Sequence, residues 1–159
     1  MLYLTTKNHL KRVVFSFNTM PMNKKLQQEL KFRIGEQYGK YEFELDWVTS
    51  VLDNNLRYEV YRYIGKDKNS VFYFEIQKIL LAYNCDFLAG LFYLLKSSND
   101  PSSIIRTNEN IGEVKIHKII KLIQIEKELY LLSITKQNCN LNIGEILQKQ
   151  AIISRKNTK

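Results

Sequence analysis

Any chemistry this chain performs must draw on two histidines, two cysteines and 16 carboxylates, and their spacing narrows what they can do. His9 and His117 each lack a carboxylate or cysteine at a spacing that would build a nucleophile, base and acid set, so they read as incidental histidines. Cys85 and Cys139 show no CxxC spacing and suggest neither a zinc site nor a disulfide framework. They read as ordinary thiols of a reducing, cytoplasmic location. Glu42, Glu44 and Asp46 alternate along one expected strand and have the spacing of a metal or acid/base pair, but cross-strand ion pairing accounts for them more simply. The six glycines, at 35, 39, 65, 90, 112 and 144, stand singly, so neither a GxGxxG nor a GxxxxGK[ST] phosphate-cradling loop exists. No cofactor and no metal are expected, and binding is expected in place of catalysis.

Charge is the stronger signal. The 159 residues carry a net charge of +8 and a pI near 9.4, which favours an anionic partner: nucleic acid or an acidic protein. The charge is uneven, at +6 over residues 1–33, −4 over 34–60, +1 over 61–110 and +5 over 111–159. Both ends are therefore basic, and the expected contacts with phosphates are Lys7, Lys11, Arg12, Lys24, Lys25, Lys115, Lys118, Lys121, Arg155 and Lys156. Against this, 18 of the 24 bases are Lys, Ala occurs three times, and Asn, Ile and Tyr abound, as in a chain from an AT-rich coding sequence. Arg, the better bidentate reader of phosphate and guanine, is scarce.

The elements that must position these residues begin with a hairpin, LKFRI and YEFEL, expected to pair Leu30 with Leu45, Phe32 with Phe43 and Ile34 with Tyr41. The same register sets Lys31 against Glu44 and Arg33 against Glu42. Thr49–Asn55 reads as a connection ending in a turn at Asp53-Asn54-Asn55. Leu56–Ile64 follows as a third strand, with Arg62 breaking its alternation, and Ser70–Leu81 as a fourth. Asp86 is expected to cap a helix from Phe87 to Ser97 that covers the apolar face of this four-strand meander. After a polar loop at 97–110, Glu113–Ile125 and Leu129–Thr135 read as a second hairpin about Glu126-Lys127-Glu128, with a helix the alternative for 113–125. Gln137–Asn142 reads as a loop and Ile143–Ile153 as a short element of either type. The fold class is a single α+β domain over residues 1–159 with a largely antiparallel sheet, residues 1–21 forming an arm or a first strand at Val13–Phe17, and 154–159 a basic tail.

Two other readings bear on function. Ile79–Leu95 is 17 residues with one charge, the lower limit of membrane-spanning length, but Asp86 near its middle would cost about 2.5–3.5 kcal/mol in a bilayer. A soluble strand-turn-helix corner explains the stretch better. The string FLAGLF at Phe87–Phe92 resembles the opening of the LAGLIDADG homing-endonuclease helix. Those enzymes place metal-binding acids just after it, where this chain has Tyr93 and Leu95, so the resemblance implies no nuclease site.

Overall fold

The computed structural model describes the backbone of Phe17–Asn18 and residues 28–71, 74–98 and 118–147. Its centre is one antiparallel sheet of eight strands. They are β1 (Phe17–Asn18), β2 (Leu45–Asp53), β3 (Leu56–Tyr63), β4 (Ser70–Val71), β5 (Phe74–Asn84), β6 (Phe87–Lys96), β7 (Lys118–Glu126) and β8 (Leu129–Lys136). Their order is β1-β7-β8-β6-β5-β3-β2, with β4 on β5. A four-strand meander is present, but it is built from β2, β3, β5 and β6 in place of the expected strands at 30–34, 41–45, 56–64 and 70–81, and the second hairpin, β7–β8, joins it by laying β8 against β6. With the helical residues 143–147, the result is the expected α+β domain.

Short turns set the register. Asn54 and Asn55 (φ 47° and 63°) link β2 to β3, and Cys85 and Asp86 (φ 48° and 65°) link β5 to β6. A two-residue loop with both φ positive matches the right-handed twist of the flanking strands, and Asn is the non-glycine residue that tolerates it best. Asp86 is thus a turn residue and caps no helix. The expected helix over Phe87–Ser97 is strand β6, and FLAGLF is part of it. Both faces of β6 are buried, Leu88, Leu91, Tyr93 and Leu95 on one and Ala89 and Phe92 on the other. A strand covered on both sides reads as an unbroken apolar run, and the bulge at Ala89–Gly90 shifts its phase toward helical spacing.

The hairpin expected over 30–45 does not form either. Residues 30–37 cross one sheet face without strand pairing beyond a bridge from Gln37 to Phe87, and Tyr38–Lys40 and Glu42–Glu44 are single 3₁₀ turns. Gly35 N–H donates to Leu88 O at 2.8 Å, Leu88 N–H to Glu36 O at 2.9 Å and Tyr38 N–H to Asp86 O at 2.8 Å, anchoring the segment at the start of β6. Leu30 and Phe32 are buried as the alternation required, but Phe43 is 91% exposed and is no partner of Phe32. Thr49–Asp53, read as a connection, belongs to β2. Arg62 breaks the burial alternation of β3, as expected, lying exposed in phase with the buried Tyr58 and Val60, but it marks no bulge on β3: it donates to Asp46 Oδ2 at 2.6 Å, and the bulge lies on β2 between Trp47 and Thr49.

Two apolar layers hold the sheet. The segment 30–45 covers Tyr63, Leu81, Tyr83, Leu91, Tyr93, Leu132 and Ile134, and residues 139–147 cover Tyr58, Val60, Leu80, Phe92 and Leu131. Each fully buried Leu or Phe contributes roughly 1.5–3 kcal/mol. Among the described residues no helix is long and apolar enough to cross a membrane.

Candidate functional site

Of the expected phosphate contacts, Lys118 and Lys121 lie on β7. Lys7, Lys11, Arg12, Lys24, Lys25, Lys115, Arg155 and Lys156 fall outside the described residues, as do His9 and His117. The β7–β8 register sets Lys118 opposite Lys136, so two lysine positions meet at that end of the hairpin. β1 pairs with β7 through Phe17 and Asn18, so the N-terminal segment contributes at least these two residues to the sheet.

Charge is uneven along the chain, at +6 over residues 1–33 and +5 over 111–159 against −4 over 34–60, and most of the two basic stretches' lysines and arginines lie outside the described residues.

A cavity of about 590 Å³ opens beneath residues 139–147, between that segment and β6, β8 and β7. Phe92, Leu131, Ile123 and Leu141 line it, with Lys78, Lys121, Ser133 and Thr135 among its polar groups. Its one thiol, Cys139, is buried, and burial pushes its pKa up. Lys78 is lowered by burial and by the charge of Arg62.

A second recess, about 360 Å³, lies where the β2–β3 and β5–β6 turns meet. Tyr38, Tyr61 and Tyr83 form it, with ring centroids 4.9–5.8 Å apart, and Arg57, Glu59, Asn84 and Asp86 complete the wall. Glu59 is held from three sides: Trp47 Nε1–H donates to Oε2 at 3.0 Å, Ser50 Oγ–H to Oε2 at 2.5 Å and Arg57 Nε–H to Oε1 at 2.6 Å. Those donors, Ser50 first, hold its carboxyl below the ordinary range. The sequence displays one wall of this recess, since Arg57, Glu59 and Tyr61 alternate along β3 and share one face, opposite the buried Tyr58 and Val60.

Lys31 forms a third cluster. Its ammonium donates to Glu44 Oε2 at 2.5 Å, Tyr63 OH at 2.5 Å and Asp67 Oδ2 at 2.9 Å, and lies 4.5 Å from the Tyr63 ring centre. Burial would lower its pKa, but the three hydrogen bonds outweigh burial and raise it. The expected Lys31–Glu44 pair is thus present without the expected strands, because the segment folds back over β3 and brings Glu44 within reach. The expected Arg33–Glu42 pair is not among the ion pairs of the described residues: the Arg33 backbone N–H bonds Glu36 Oε2 at 2.8 Å. Glu42 and Glu44 sit in a 3₁₀ turn and Asp46 in β2, so the three acids share no strand face, and among the described residues no cluster of His, Cys, Asp and Glu could hold a metal.

Comparison of the chain with family models, with curated proteins and with solved structures finds no match.

Proposed function

We propose that this is a small basic binding protein that contacts nucleic acid through phosphates, using its N- and C-terminal basic segments. The observation that carries the reading is the uneven charge along the chain: +6 over residues 1–33 and +5 over 111–159, against −4 over 34–60. Charge spread by compositional bias alone would not leave an acidic stretch between two basic ones. Lys118 and Lys121 hold positions on β7 within the second basic stretch. Because Lys supplies most of the charge, binding should depend on backbone phosphates and show little sequence preference.

The test is affinity for a random duplex and for a single strand across a salt series. The proposal predicts comparable affinities for unrelated sequences and a steep, linear fall of log K with log salt. Absence of binding at low salt removes it and leaves the second reading, a protein-interaction module such as an inhibitor or assembly factor. A specific observation favours that alternative too: Trp47 and Leu52 are exposed on the edge strand β2. In its simplest form an acidic partner would engage the same basic segments.

A further inference from the structure

The cavity beneath residues 139–147 has a volume of about 590 Å³, within the range of small-molecule pockets. The strand registers show how its floor is built. Lys78, Leu94, Leu131 and Ile123 stand side by side across β5, β6, β8 and β7, and the next row on the same face is Leu80, Phe92, Ser133 and Lys121. Phe92 and Leu131 are buried, whereas Leu94, Ile123, Ile125 and Leu129 line the cavity only half-buried. Apolar walls left open to water favour an apolar molecule that displaces that water.

The charged groups of the lining select the polar end of such a molecule. Lys121 is half-buried opposite Ser133, and among the described residues it forms no ion pair. Ser133 Oγ–H makes only a long hydrogen bond, 3.4 Å to Lys121 O, and can turn to a better acceptor. Lys78, the second cation of the lining, is disfavoured as a charge by burial and by Arg62. Glu126, the one acid among the described lining residues, lies further along β7, roughly 15 Å from Lys121 at ordinary strand rise. We propose that the cavity binds a single-chain amphiphile with a carboxylate head, the head meeting Lys121 and Ser133 and the chain lying along Ile123, Leu131 and Leu94. Of the residues expected to contact phosphates only Lys121 lines this cavity, so the two proposals stand or fall separately.

The test is calorimetric titration of the full chain with decanoate, decanol, decyltrimethylammonium and acetate, the amphiphiles kept below their micellar concentrations. Decanoate should bind at one site per chain. Decanol should bind about tenfold or more weaker, the loss of one charge-assisted hydrogen bond, and neither acetate nor the ammonium amphiphile should bind. Lys121→Met keeps an apolar stem at a half-buried position and should bring decanoate down to the affinity of decanol, with circular dichroism unchanged. Lys136→Met, on the same hairpin but outside the cavity lining, should leave decanoate binding as it is in the parent chain. No decanoate binding, equal affinities for decanoate and decanol, or unchanged decanoate affinity in Lys121→Met would overturn the proposal. So would an equal loss in Lys121→Met and Lys136→Met, which would assign the binding to general surface charge.

Discussion

Replacing the turn Cys85-Asp86 by Asn-Gly tests the reading of β5–β6 as a tight hairpin. Both residues take left-handed backbone conformations, φ 48° and 65°, and Cys85 is exposed, so little packing is lost on substitution. A non-glycine residue in this region costs about 1–2 kcal/mol, less for Asn and Asp. Cys85→Asn should therefore recover roughly half of that cost. Asp86→Gly removes a similar strain but loses about 0.5–1 kcal/mol to the greater freedom of glycine in the unfolded chain. The double variant should be more stable by about 1 kcal/mol, a rise in urea midpoint of roughly 0.3–1 M at ordinary denaturant dependence. Asp86→Ala should fall below wild type, because alanine keeps the strain without the polar side chain that tolerates it. A helix cap at Asp86 would reverse part of this order, since Gly gains nothing there. Equilibrium unfolding of the four proteins that gives Ala equal to or above Gly would refute the hairpin.

At Gly90 an added Cβ would meet two Phe92 ring atoms at 2.8 and 2.9 Å and Cys139 Sγ at 3.3 Å, so Gly90→Ala should destabilise by about 1–3 kcal/mol in a thermal or urea melt. The Tyr83 hydroxyl is buried without a hydrogen-bond partner among the described residues, so Tyr83→Phe should leave stability unchanged or raise it by about 1 kcal/mol, and a clear loss would show that the hydroxyl is bonded. The hydrogen bond from Lys31 lowers Glu44, and those from Tyr63 and Lys31 lower Asp67, so both acids stabilise the fold above their unfolded pKa. That stability should fade as pH drops through their folded values, below about pH 4. Lys31 is raised, so its contribution is complete below about pH 10.5 and lost above it; Lys31→Met should flatten the acid limb of a stability-pH curve.

β3, most of β5 and the second hairpin were legible because they are rich in β-branched, aromatic and apolar residues and lie between short polar turns. Leu56–Val60 keeps a two-residue period and Asn54-Asn55 carries turn chemistry that local sequence displays, whereas β8 is buried without alternation from Leu131 to Thr135 and is marked by its Ile and Leu content. β6 was not legible, because burial of both faces erases the alternation that separates strand from helix. The segment 30–45 misled in a different way. Its alternation reflects a real inside and outside, with Leu30 and Phe32 buried and Lys31 paired to Glu44, but an extended segment laid across a sheet shows the same period as a strand within one. β2 was cut short because Thr49 and Ser50 carry little apolar signal on a half-exposed edge. The tyrosine recess needed the turn geometry: Tyr38, Tyr61 and Tyr83 come from three separate elements that only the folded topology brings together.

The assignment of phosphate contacts to the basic terminal segments is most directly tested by the salt dependence of DNA binding before and after the N-terminal one is neutralised. Affinity for one random duplex is measured across a salt series for wild type and for a variant with Lys7, Lys11, Arg12, Lys24 and Lys25 all changed to Gln. The slope of log K against log salt should become shallower by about 0.9 for each phosphate that the variant no longer neutralises, with folding unchanged by circular dichroism. An identical slope and affinity in the two proteins would contradict the assignment of DNA binding to the N-terminal basic segment.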